Sequence, residues 1–119
     1  MINSETRNTI KLIRNSFERQ SIDLSLLKKL YKKYNNIDNI DKFINDGVNM
    51  FPKLNCGITS LYIKHILKGG RIINGEYKKE NHTFLMYKNN IIDITAEQYG
   101  GPKIHVGPLK YPWKIKTNQ

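Results

Sequence analysis

The hydrophobic period of this chain changes at Gly69-Gly70, and that switch limits the fold more than any other feature of the sequence. Before it, apolar residues recur at three- and four-residue spacing, as on one face of a helix. After it they alternate, as on a half-buried strand. Helices followed by consecutive short strands predict an α+β architecture with an antiparallel sheet rather than a parallel α/β one. With 119 residues the chain is expected to form one domain, residues 1–119, in which 1–50 are helical and 54–113 carry a further helix and the sheet.

Ile10, Ile13 and Phe17 define a first helix over Ser4 to Gln20, with Ser4 as its cap. Asp23 can cap a second, in which Leu24, Leu27, Leu30, Tyr31 and Tyr34 form the apolar stripe and Lys28, Lys29, Lys32 and Lys33 lie outside. A shorter helix over Asp38 to Asp46 carries Ile40, Phe43 and Ile44 and is expected to end at Gly47. The segment 54-LNCGITSLYIKHIL-67 reads as a fourth helix starting at Cys56, with Ile58, Leu61, Tyr62, His65 and Ile66 facing inward. Strands are predicted at 71–79, 82–87, 91–95 and 104–106, with Asn89-Asn90 as a tight hairpin turn because Asn tolerates positive φ. The tail after Trp113 is expected to fray.

Twenty Lys and Arg against ten Asp and Glu give a formal charge of +10, a field that attracts acidic proteins, nucleic acid or anionic lipid. Charge alone does not choose among these. Solubility explains a basic surface equally well, and the Lys residues are scattered rather than gathered in one stripe. The first residues lack the apolar stretch of a secretory signal, no run reaches the ~18 apolar residues of a membrane span, and one cysteine permits no intrachain disulfide. The expectation is a soluble, cytoplasmic protein, or one delivered as an effector.

Cys56 is the only cysteine. A thiol at a helix start feels the positive end of the helix dipole and the free backbone N–H groups, which favour thiolate. The same N–H groups can hold an oxyanion, and Gly57 lets the backbone approach a substrate carbonyl. The Asn55 side-chain amide is a further candidate donor. A thiolate that attacks an amide needs a proton donor for the leaving amine, and His82, opening a strand, is the candidate. Asp93 on the next strand would orient the imidazole. The bland alternative for Cys56 is a buried small residue, and for His82 a histidine bonded to a backbone carbonyl.

The order of a Cys at a helix start, "HTF" and then "DIT" within "IIDITAEQYG" resembles the papain and transglutaminase-like superfamily of thiol enzymes over about residues 54 to 101. The resemblance implies a cysteine helix packed on an antiparallel sheet, and acyl-enzyme chemistry on amides through Cys56, His82 and Asp93. No Gln shortly precedes Cys56, so Asn55, Asn49 or backbone N–H groups would serve the oxyanion. Glu97 and Gln98 follow the Asp strand, where they could line the cleft, Gln98 as a substrate contact, or cap a turn. No cofactor or metal is expected: a site built from Cys56, His82, Asp93 and His65 lacks paired ligand spacing. His65 is read as structural, His105 as a less favoured alternative base, and Tyr99, Tyr111 and Trp113 as an aromatic cover over the sheet.

One geometric obstacle follows from the predicted turn. A two-residue turn at Asn89-Asn90 puts Asp93 opposite Met86, four residues from His82 along the same face. At ~3.4 Å per residue that is too far for a direct bond. A wider loop or a bulge would remove it. The function expected is therefore cysteine-dependent amide hydrolysis or acyl transfer on a protein or peptide substrate, acidic ones being among those the charge allows. A basic nucleic-acid-binding module and a catalytically inactive interaction domain are the competing readings.

Overall fold

The computed structural model describes residues 2–34, 36–53 and 55–116. Four helices precede five strands: α1 (Ser4–Glu18), α2 (Leu24–Tyr34), α3 (Ile40–Asn49), α4 (Cys56–Leu67), β1 (Arg71–Tyr77), β2 (Glu80–Tyr87), β3 (Asn90–Asp93), a 3₁₀ turn (Ala96–Tyr99), β4 (His105–Gly107) and β5 (Trp113–Ile115). The α+β class and the helix-then-sheet order are as the periodicity implied. The expected fraying of the tail falls partly on 117–119, outside the described residues.

Caps depart from the reading in small ways that have physical causes. Asn3, not Ser4, caps α1, its side chain accepting the Thr6 N–H at 2.8 Å. Asp23 caps α2 through the Leu26 N–H as expected, at 3.2 Å. Gly47 does not end α3; it lies buried inside a helix that runs to Asn49, and its carbonyl accepts the Asn55 side-chain amide. In α4 the buried residues are Ile58, Thr59, Ser60 and Ile63, whereas His65 and Ile66 are exposed. This helix is apolar on most sides, so periodicity could not fix which face turns inward.

The sheet is antiparallel with strand order β4-β3-β2-β1-β5. Its two faces bury different clusters. Leu85 and Ile92 join Ile10, Ile13, Phe17, Leu27, Ile44, Ile58 and Ile63 under the helices, while Ile73, Tyr77, Phe84, Ile91, Ala96 and Trp113 form a second core on the other face. The His105 and Trp113 rings, from the two outermost strands, stack with centroids 4.0 Å apart. In a flat sheet β4 and β5 would lie about 19 Å apart, four strand spacings. The sheet therefore curls until its edges meet, enclosing the second core. β5 was not anticipated; three residues around Trp113 are too few to show alternation.

The β2–β3 turn resolves the geometric obstacle. Its central residues are Lys88 and Asn89, both left-handed with φ of 50° and 63°, and Tyr87 pairs with Asn90. Asn90 is outside the two-residue turn, the first residue of β3, and bonds the Lys88 carbonyl through Nδ2 at 2.9 Å. Moving the turn back by one residue slides the register by two. Asp93 then falls opposite Phe84 by continuation of the ladder, two residues from His82 on the same face, a diagonal that side chains can span.

Candidate active site

Asp93 closes β3 and its side chain ends the strand. Oδ1 accepts the Thr95 N–H at 2.8 Å and the Thr95 hydroxyl at 3.2 Å, an Asx turn that bends the chain into the 3₁₀ segment. Oδ2 lies 2.7 Å from His82 Nε2 and 2.7 Å from Trp113 Nε1. A carboxylate with two indole and imidazole nitrogens on one oxygen can only accept, so His82 carries its proton on Nε2. Both residues are buried, His82 at 3% and Asp93 at 2% exposure. Burial opposes the charge on Asp93, but the bonds from His82, Trp113 and Thr95 outweigh it and hold the carboxyl below its ordinary range.

His82 is boxed by aromatic edges, with Tyr99 at 5.4 Å, Tyr77 at 6.2 Å and Phe84 at 6.4 Å between ring centroids. With Nε2 given to Asp93, its Nδ1 is buried and makes no aligned hydrogen bond among the described residues. Cys56 is the group within interaction range of that ring: each raises the tendency of the other to ionise. Burial works against charge on His82, yet Asp93 and Cys56 together push its pKa up to about 9. Burial likewise disfavours the Cys56 thiolate, but His82 and the backbone of Thr83 more than reverse this and lower its pKa. The Thr83 hydroxyl contributes less, since its proton goes to Asn74 Oδ1 at 3.1 Å. The arrangement favours a thiolate beside an imidazolium.

Cys56 is half-buried at the first turn of α4 and borders an open cavity of about 300 Å³ together with Asn74, Gly75, Asn81, His82, Thr83 and Lys116. The helix start has no side-chain cap from Asn55, so the N–H groups of Cys56 and Gly57 are not taken up by it. The helix is braced on β2 by Ser60, whose hydroxyl bonds the Cys56 carbonyl at 2.7 Å and lies 3.5 Å from the Thr83 carbonyl. A larger hollow of about 510 Å³, between Leu30, Leu61, Ile66 and Gly69, lies at the other end of α4 and borders none of the three residues.

Of the residues singled out from sequence, Cys56, His82 and Asp93 come together. Gly57 sits beside them in the first turn of α4. Asn55 does not offer its amide to the cavity: it is 1% exposed and Nδ2 is bonded to the Gly47 carbonyl at 2.8 Å, tying α4 to α3. Gln98 is half-buried with Nε2 unpartnered among the described residues and does not border the cavity. Glu97 pairs with Arg14 at 2.7 Å instead of lining the cleft. His65 is exposed, and His105 lies in β4 against Trp113, with Nε2 3.4 Å from the Pro108 carbonyl. Trp113 was read as a cover; its indole N–H is also a partner of Asp93, which the need of a buried Trp for an acceptor could have signalled.

Among the described residues no helix is long and apolar enough to cross a membrane. Comparison with known proteins finds no family model, no curated protein and no solved structure that matches the chain.

Proposed function

We propose that this chain is a cysteine-dependent amide hydrolase or acyltransferase, of the kind the papain and transglutaminase-like resemblance implies. One observation carries the reading: a buried His82 is bonded to Asp93 through Nε2, its Nδ1 has no aligned partner among the described residues, and the Cys56 thiol lies within interaction range of the ring. A purely structural histidine would be expected to satisfy both nitrogens.

The Cys56 thiolate attacks the carbonyl carbon of an amide, and the oxyanion is met by the N–H groups of Cys56 and Gly57 at the start of α4. His82 gives the Nδ1 proton to the departing amine nitrogen, leaving a thioester on Cys56 and a neutral ring. Water then loses a proton to His82 Nδ1 as it attacks the thioester, and the thiolate leaves. An amine in place of water gives transamidation, and a side-chain carboxamide as first substrate gives deamidation. Asp93 keeps the ring in the tautomer these transfers need and stabilises its charged form. The cavity is shallow and open, which suits an amide on a protein or peptide.

An activated ester such as p-nitrophenyl acetate tests the reading without knowledge of the substrate. The expected result is a stoichiometric burst with an acyl group on Cys56 by mass spectrometry, absent in Cys56→Ala and slower by ~100-fold or more in His82→Ala. A burst of equal size in Cys56→Ala would rule the proposal out.

A further inference from the structure

The cavity at Cys56 has a second charged feature that the thiol chemistry leaves unused. Thr83, Asn74 and Lys116 form a polar row running away from the thiol across β2, β1 and the end of β5. Asn74 pairs with Thr83 in the β1–β2 ladder, and their side chains are bonded at 3.1 Å. Gly75 pairs with Ile115, so the next residues, Asn74 and Lys116, stand side by side on the same face. All three border the cavity, and among the described residues that line it Lys116 is the one lysine or arginine and none is an aspartate or glutamate. Among the described residues Lys116 makes no ion pair. Asn74 accepts from Thr83 through Oδ1, which leaves its Nδ2 donors for a ligand.

We infer that Lys116 and Asn74 form a carboxylate subsite, so that the substrate is an acidic peptide carrying Asp or Glu close to the amide that Cys56 attacks. The strand spacing sets the distance. Lys116 lies two strands from Thr83, about 10 Å, and an extended peptide advances ~3.4 Å per residue. Allowing for the reach of a lysine side chain, the carboxylate belongs within about two residues of the reacting carbonyl. The inference rests on the function proposed for Cys56, and names the substrate class for that site.

Two alkylating agents of similar size but different charge separate the two claims. Iodoacetamide reports the reactivity of the thiolate; iodoacetate reports in addition the attraction of a carboxylate to its surroundings. In the full chain, Lys116→Gln is expected to slow iodoacetate at Cys56 about threefold or more while leaving iodoacetamide within about twofold, and Lys116→Glu to slow iodoacetate further. Lys32→Gln, on the exposed side of α2, should change neither rate. The iodoacetate preference should also decline with added salt. If iodoacetamide reacts fast but the iodoacetate ratio ignores Lys116→Gln, or falls equally in Lys32→Gln, the carboxylate subsite is wrong and the reactive thiol stands. If iodoacetamide itself reacts no faster than with a free thiol, the reading of Cys56 fails first.

Discussion

Replacing Asp93 by Asn removes a charge with almost no change of shape, and the structure says what that must cost. The carboxylate accepts four bonds, from Thr95 N–H and Oγ1–H on one oxygen and from His82 Nε2 and Trp113 Nε1 on the other. An amide has one oxygen, so in either orientation its NH₂ meets donors. If it faces Thr95 the Asx turn is lost; if it faces His82 and Trp113 the imidazole loses its partner. Breaking a buried charged pair costs about 3–5 kcal/mol, about a fifth or more of the ~5–15 kcal/mol that holds a typical domain. For a chain of 119 residues that lowers the melting temperature by about 12–20 °C. The more informative effect is on Cys56. Without Asp93 the bond that most favours imidazolium is gone, while the burial that opposes charge on both ring and thiol remains. The thiol must therefore titrate at higher pH. Each tenfold loss of thiolate is offset about threefold by the greater nucleophilicity of a more basic thiol, so alkylation at neutral pH slows about threefold per tenfold loss. The assay is the pH dependence of iodoacetamide alkylation, run below the lowered melting point. A melting temperature that falls while the alkylation midpoint stays fixed would refute the coupling of Asp93 to the thiol through His82.

Further consequences can be checked independently. A His82 raised to about 9 would by itself contribute stability that is complete below its unfolded value of ~6.5 and is lost as pH rises through 9. In the ion pair, however, the ring proton is offset by the one the thiol gives up, so wild-type stability should depend less on pH over that range than His82 alone would make it. Cys56→Ala removes the compensation, and its urea-derived stability should fall relative to wild type by up to ~1.4 kcal/mol per pH unit above 6.5. Arg14→Met should cost about 2–4 kcal/mol in the same measurement, because buried Arg14 bonds Glu18, Glu97 and the carbonyls of Ile94 and Lys103 and lies over the Phe51 ring. Gly75→Ala drives a methyl into the Lys114 carbonyl and to within 3.0 Å of the Phe84 ring, so β5 must shift, and a loss of about 1–3 kcal/mol with a weakened Trp113–Asp93 bond is expected by calorimetry and indole NMR.

The fold class and the three central residues were legible because each carries a local signal. The change of period at Gly69-Gly70 marks where helices give way to strands, and Cys56 follows a loop directly into an apolar helix. What was not legible depends on long-range geometry. Register in the β2–β3 hairpin hinges on which two residues adopt positive φ, and a left-handed Lys88 is not written in its chemistry. Curling of the sheet brings His105 and Trp113 together from opposite edges, so the third partner of the Asp93 oxygens came from a segment that read only as an aromatic cover. Asn55 carried the right functional group but spends it on the end of α3, a contact set by helix packing alone. Lys116 was hidden among nineteen other basic residues until the β1–β5 pairing put it beside Asn74.

The charge state of the His82 ring is the most direct test of all this, and ¹⁵N NMR of the imidazole across pH reads it without any substrate. A ring protonated on both nitrogens at neutral pH, losing its proton near 9 in wild type and at lower pH once Cys56 is replaced by Ala, is the predicted result. A neutral ring at pH 7, titrating at or below the ordinary ~6.5 and indifferent to Cys56, would contradict it.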